Sequence, residues 1–130
     1  MSDVARFLSA KSYAVAGASR DRSKYGNQVF KALVQSGRNV VPINPSAQEI
    51  EGHRVYPSVA QLPVVPESLS IITPPHITRT VIDEAIQAGV KNIWMQPGAE
   101  DAAASSAARR AGLTVIDDGS CILVLLAQLG

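Results

Sequence analysis

Cysteine is nearly absent from this chain: Cys121 stands alone among 130 residues. A disulfide framework within the chain is therefore excluded, and so is a cysteine-rich metal site. Histidine is almost as scarce, with only His53 and His76. Neither is placed to activate a serine or cysteine nucleophile with a third orienting group, so no catalytic triad is visible. There is no HExxH, no closely spaced carboxylate motif and no GKS or GKT of a Walker loop. Charge of one sign is missing too: a net +1 rules out a global basic field aimed at nucleic acid or membrane, and any positive patch must be local. Long apolar runs are lacking; the longest, Cys121–Ala127, falls far short of a bilayer. The opening MSDVARFLSAKS has no uninterrupted apolar core, so a signal peptide is not expected and a cytoplasmic protein is.

What is present is a hydrophobic fraction of 46% with 18% charged residues, enough for one globular domain over residues 1–130. The organising stretch is Tyr13–Val29, YAVAGASRDRSKYGNQV. An apolar run, Tyr13–Ala16, stops at Gly17, passes Ala18-Ser19 and crosses a basic loop. An amphipathic pattern then begins, with Val29, Phe30, Leu33 and Val34 at helical spacing. Strand, glycine turn and helix together present backbone N–H groups and a helix N-terminus to phosphates. Arg20, Arg22 and Lys24 add positive charge to that mouth.

The remainder alternates strand and helix. A short helix is expected over Ser2–Ser9, capped by Ser2, with Val4, Phe7 and Leu8 inward. Helix from Tyr25 to Ser36 ends at Gly37. Asn39–Ile43 reads as a strand whose Pro42 suits an edge or non-bonded position. Asn44–Pro66 is irregular, with one helical turn near Ser58–Leu62. Ser68–Thr73 is a strand, and Pro74-Pro75 opens a helix with Ile77, Val81, Ala85 and Ile86 on one face, closed by Gly89. Lys91–Met95 is a strand, Glu100–Ala111 a helix whose charges complement its dipole, and Leu113–Ile116 the fifth strand. An apolar helix over Ser120–Leu129 is expected to finish the core, although its outer face would also suit a homodimer contact. Five apolar strands separated by helices give an α/β fold: a single Rossmann-like domain with a five-stranded parallel sheet, order 3-2-1-4-5, and helices on both faces.

In such a sheet ligands bind at the carboxyl ends of the strands. Gly17-Ala18-Ser19, Asn44-Pro45, Thr73-Pro74-Pro75 and Gln96-Pro97-Gly98 collect there. They are small, proline or amide residues; none is a general acid or base. His76 lies near the strand ends, where ligand contact is the alternative to its reading as a solvated first-turn residue, and His53 reads as a surface loop residue. A dinucleotide fingerprint would need glycine where Ser19 stands. An NAD site would need an acid at the end of the second strand, where Asn44 precedes Pro45 and Glu49 and Glu51 are displaced into the loop. NADP stays open, since Arg20 or Arg22 could meet a 2′-phosphate.

The segments VAGASRDRSKYGNQVFKAL, VVPINPSAQEIEGHRVYPSVAQLP, IITPPHIT and NIWMQPGAED, in that order, resemble the stand-alone coenzyme A-binding proteins. These are relatives of the N-terminal CoA-binding domain of the succinyl-CoA synthetase alpha subunit. The resemblance runs from about Ser12 to Asp117. It implies a cradle for coenzyme A or an acyl-CoA, with Gly17, Ala18 and Ser19 against the phosphates and Arg20, Arg22, Lys24 or Tyr25 nearby. Lys24 is the leading cation. Asn44 and Pro45 would border the adenosine side; Thr73, Pro74, Pro75, Gln96, Pro97 and Gly98 would line the groove. It also implies a binding, sensing or carrier protein without chemistry of its own, because the phosphorylated histidine and nucleotide-grasp partner of the synthetase lie outside this kind of domain. The alternatives are an NAD(P)-dependent oxidoreductase or redox protein, and a regulatory module acting with a separate partner chain. Neither a nucleic-acid nor a membrane partner is expected. Ser46-Ala47 follow Pro45 where the synthetase-like domains carry a basic residue, which throws weight onto Arg20–Lys24. The Asp-Arg-Cys common at the family's C-terminus is here Asp117-Asp118-Gly119-Ser120-Cys121. Cys121 reads as a small buried core residue, with a mixed disulfide to the CoA thiol as the sharper alternative.

Overall fold

Tyr13–Ala16 forms β1, buried along its whole length, in a computed structural model that describes residues 1–129. A strand reads as continuously apolar when helices cover both faces of its sheet. Around it the elements follow as α1 (Asp3–Leu8), α2 (Tyr25–Gln35), β2 (Val40–Ile43), a hairpin of β3 (Glu49–Ile50) and β4 (His53–Arg54), β5 (Ser68–Ile71), α3 (Pro75–Ala88), β6 (Asn92–Met95), α4 (Ala102–Arg110), β7 (Thr114–Ile116) and α5 (Ile122–Leu129). A single 3₁₀ turn, Val59–Gln61, occupies the place where one helical turn is expected.

β1, β2, β5, β6 and β7 form one parallel sheet, and successive side chains alternate between its faces. Ala14, Ala16, Leu69, Ile71, Ile93 and Met95 meet α3 and α4 through Ile82, Ala85, Ala104 and Ala108. Tyr13, Val15, Trp94 and Ile116 meet the other helices through Phe7, Phe30, Leu33 and Ile122. On that second face Phe7 stands edge-on to Trp94, with centroids 5.2 Å apart, a favoured aromatic geometry.

Counted by appearance, the sheet order is 2-1-3-4-5. Ser68–Ile71 pairs with β1, from Tyr13↔Ser68 to Ala16↔Ile71, and not with β2. The place outside β2 belongs to one residue of the irregular stretch, Tyr56, in a parallel bridge with Ile43. Its N–H reaches the Pro42 carbonyl at 3.2 Å, and its carbonyl accepts the Asn44 N–H at 3.0 Å. Counted as a rudimentary third strand, this bridge gives the expected 3-2-1-4-5 progression through β6, with β7 as a sixth place. Pro42 faces its N and C=O to that outer edge, where the missing N–H leaves no ladder bond of β1 unmade.

Three packing expectations need correction. On α3 the buried residues are Thr78, Ile82 and Ala85, while Ile77 is 42% exposed. The Thr78 hydroxyl turns inward because it donates to the Ala99 carbonyl at 2.9 Å. Secondly, α5 buries Ile122 but leaves Val124 and Leu129 exposed, so it only partly completes the core. Thirdly, His53 is half-buried, edge-on to Phe30 at 5.1 Å, with Nδ1 3.0 Å from the Glu51 carbonyl. Among the described residues no helix is long and apolar enough to cross a membrane, and no three histidine, cysteine or acidic residues gather as a metal site.

Candidate functional site

The sheet's crossovers diverge between β1 and β5: the chain leaves β1 for β2 on one side and returns to β5 on the other. A cleft opens outside the carboxyl ends at such a point. Gly17 ends β1 there with φ +91°, and a Cβ on it would lie 2.0 Å from the Ile72 carbonyl oxygen. Gly26, in the first turn of α2, is equally constrained; its Cβ would lie 2.0 Å from the Gly17 carbonyl oxygen. Gly26 thus brings the start of α2 into backbone contact with the turn, and Gly17 brings the turn against the chain leaving β5.

The N-terminus of α2 is chemically open. Lys24 is its N-cap residue and supplies no side-chain cap, and its first turn holds no acid. By contrast α1 is capped by Ser2, which accepts the Ala5 N–H, and α4 by Asp101, which accepts the Ala104 N–H. An uncapped first turn keeps the partial positive charge and unsatisfied N–H groups that anions seek. Arg20 and Lys24 are exposed beside it, and among the described residues neither makes a salt bridge. Arg22 differs, because Glu51 receives its Nε at 3.1 Å. Hydrogen bonding with Arg22, then with Asn27, holds the Glu51 carboxyl below its usual range. The same contact raises the Arg22 guanidinium further. Arg20, Arg22, Ser46, Glu49 and Glu51 line a groove of about 810 Å³.

Asn44 braces this mouth. Its Nδ2 donates to the Ala18 carbonyl at 2.8 Å, and its Oδ1 accepts the N–H groups of Ser46 and Ala47 at 2.7 and 3.1 Å. Its side chain is therefore spent on fixing the turn after β2 to the glycine turn, while Pro45 is exposed beside it. Ser19 is similarly committed: its Oγ accepts the Asp21 N–H and its carbonyl accepts Asn27 Nδ2.

The other two loops present backbone and proline more than side-chain polarity. Thr73 Oγ1 lies 2.7 Å from Thr78 Oγ1, whereas Pro74, Pro75, Pro97 and Gly98 are exposed. The Gly98 N–H is already taken by the Glu100 carboxylate at 2.7 Å. Gln96 is fully buried. Its Nε2 donates to Ser70 Oγ at 3.2 Å, and its Oε1 accepts from Tyr25 Oη and from the Ile122 N–H, both at 3.1 Å. The side chain ties the sheet to the starts of α2 and α5 instead of projecting into the cleft. His76 is exposed on the first turn of α3.

Tyr25 and Cys121 meet at the same end of the sheet. Tyr25 Oη hydrogen-bonds Cys121 Sγ, and Cys121 is half-buried, not the sealed core residue expected. Burial foremost, with the Cys121 contact second, raises the Tyr25 phenol above its ordinary range and keeps it protonated.

Sequence reasoning misses Gly26, Asn27, Ser70 and the Glu51–Arg22 pair. Asn27 leaves one signal: an amide three residues before Phe30 and six before Leu33, on the face that α2 buries.

The sequence pattern of the CoA binding domain family matches residues 11–127. Among curated proteins, the chain is 33% identical over 88 residues to the alpha subunit of an ADP-forming acetate–CoA ligase II from Pyrococcus furiosus, covering 67% of this chain and 19% of that protein. It is 36% identical over 83 residues to an ADP-forming acetate–CoA ligase II from Archaeoglobus fulgidus, covering 62% of this chain and 12% of that one. The chain thus spans about a fifth or less of the length of these relatives. Among solved structures, a hypothetical protein from Pyrococcus horikoshii superposes with a TM-score of 0.92 at 30% identity, over 100% of this chain and 94% of that one. A dinucleotide-forming acetyl-coenzyme A synthetase from Ca. Korarchaeum cryptofilum gives 0.75 at 28% identity, over 86% of this chain and 27% of that one.

Proposed function

The chain belongs to the CoA binding domain family, and from that premise we propose that it binds coenzyme A or an acyl-CoA at the carboxyl ends of its parallel strands. The carrying observation is the uncapped start of α2 pressed against the Gly17 turn, with Arg20 and Lys24 exposed and, among the described residues, without a salt bridge. That arrangement suits a pyrophosphate, and the cations suit a further phosphate on the ribose. A ligand's pantetheine arm would run across the Pro74-Pro75 and Pro97-Gly98 loops toward Tyr25 and Cys121. The role is binding, sensing or carriage, a reading supported by Ser19, Asn44, Thr73 and Gln96, whose side chains hold the scaffold.

A second reading has its own support. The relative from P. furiosus is named a subunit, and this chain covers 19% of it. On that reading the domain works with a separate partner chain, and the ligand it holds is used there.

Calorimetric titration of ligand-stripped protein with CoA, dephospho-CoA, NAD and NADP tests the proposal. Saturable binding of CoA that weakens without the 3′-phosphate is expected. NADP binding with no response to CoA would replace the proposal with an oxidoreductase reading. Silence from all four would leave the partner-dependent one.

A further inference from the structure

Glu51 has φ +49°, the one positive value outside glycine among the described residues. It stands between the paired Ile50 and His53 of the β3–β4 hairpin, followed by Gly52 at φ +78°. Two successive positive φ values suit asparagine, aspartate or glycine at the first position; a glutamate there crowds its Cβ against backbone. Nor does the side chain run out into solvent. It folds back, 18% exposed, and receives Arg22 Nε at 3.1 Å and Nη2 at 3.4 Å. Asn27 Nδ2 donates to it at 3.1 Å and also to the Ser19 carbonyl at 2.9 Å. The carboxylate therefore lies one amide nitrogen away from the backbone of the glycine turn. Asn27 Oδ1, in a residue 1% exposed, is buried there without a partner.

Carboxylate and phosphate are the two anions that a guanidinium fork grips in the same planar way. We propose that Glu51 is a specificity-determining residue of the phosphate mouth, a carboxylate placeholder on Arg22 and Asn27 that an incoming anion must displace. This rests on the CoA-binding reading above. A lone small anion exchanges one partner of Arg22 for another and gains little, since only the difference in interaction counts. A nucleotide with linked phosphates engages the turn, the start of α2, Arg20 and Lys24 at once, and so outcompetes the placeholder. The side chain alone has to move, because three hydrogen bonds hold the carboxylate at the mouth while buried Ile50 and the His53–Phe30 contact keep the hairpin in place. Glu51 thus lowers affinity for every anion and in return rejects the simple ones.

The test is calorimetric titration of CoA, and separately of inorganic phosphate, into wild type, E51Q, R22A and R22A/E51Q. Charge removal in E51Q should tighten CoA by about 3- to 10-fold and bring phosphate binding into the measurable range. R22A should cost more affinity in the E51Q background than in wild type, a coupling that a merely structural Glu51 would not produce. E51N guards against a folding artefact. It favours the turn and is one methylene shorter, and it should tighten CoA similarly. Wild type that binds CoA while E51Q and E51N bind it equally or more weakly overturns this inference alone. An R22A cost that is the same in both backgrounds overturns it too. Wild type that does not bind CoA overturns the binding reading, and the placeholder with it.

Discussion

The carbonyl oxygen of Gly17 lies where a Cβ on Gly26 would come within 2.0 Å of it. The turn that ends β1 and the helix that follows are thereby locked together through backbone alone. Backbone cannot yield as a flexible side chain does, so Gly26→Ala must push α2 away from the turn. The expected cost is about 1–3 kcal/mol, the range for overpacking a tight site, read as a lower denaturant midpoint. A Gly26→Ala protein with wild-type stability and wild-type CoA affinity would show that this contact is not what shapes the mouth.

Asn44→Ala tests the brace on the other side. It removes the donor to the Ala18 carbonyl, whose residue is fully buried, and the acceptor of two N–H groups. Leaving the carbonyl of buried Ala18 without a partner costs about 1–3 kcal/mol. Affinity for CoA should fall as well, because the turn after β2 loses its tie to the glycine turn. Lower stability with unchanged affinity would confine Asn44 to folding.

Lys24→Ala should weaken CoA binding and flatten its salt dependence, since Lys24 is exposed at the start of α2 and makes no salt bridge among the described residues. An exposed cation acting on a phosphate contributes through a screened interaction, so the loss should shrink as salt rises. Titration at low and high salt reads both effects. If Lys24→Ala is silent, Arg20→Ala becomes the variant expected to carry the loss.

Tyr25 gives a prediction on the alkaline side. Its phenol is raised above the ordinary 10.0 by burial and by the contact with Cys121. A raised value means that the folded protein keeps the proton while the unfolded chain releases it. The resulting stability is intact below the ordinary pKa and is lost as pH rises through the folded one. Denaturant midpoints followed from about pH 9 upward should therefore fall more steeply for wild type than for Tyr25→Phe. Parallel slopes would contradict the buried, protonated phenol.

Much of this architecture is legible in the residues because local signals are strong. Gly89 in the left-handed conformation ends α3, and Ser2 caps α1 as expected. Other features depend on contacts far apart in sequence. The Tyr56 bridge is a single residue long, and β3 and β4 are two residues each, too short for any periodicity. On α3, Val81, Ala85 and Ile86 pack against the core as their spacing suggests, but Thr78, with its hydroxyl satisfied by Ala99, is buried in the place expected for Ile77. At the site, Gly17-Ala18-Ser19 is readable from the glycine turn. Residue type alone does not show that the Gln96 amide is turned into the protein, since that depends on Ser70, Tyr25 and Ile122 arriving from three other elements. In the sequence Glu51 is displaced from the second strand, and only the hairpin carries it back to Arg22.

The most direct measurement is amide chemical-shift mapping of the isotope-labelled protein as CoA is added. Binding at the strand ends should place the largest shifts on Gly17, Ala18 and Ser19 and on Tyr25 and Gly26 at the start of α2, with smaller ones at Gly98. Shifts concentrated instead on the groove between α2 and α5, around Ser36 and Leu126, with the glycine turn unmoved, would contradict it.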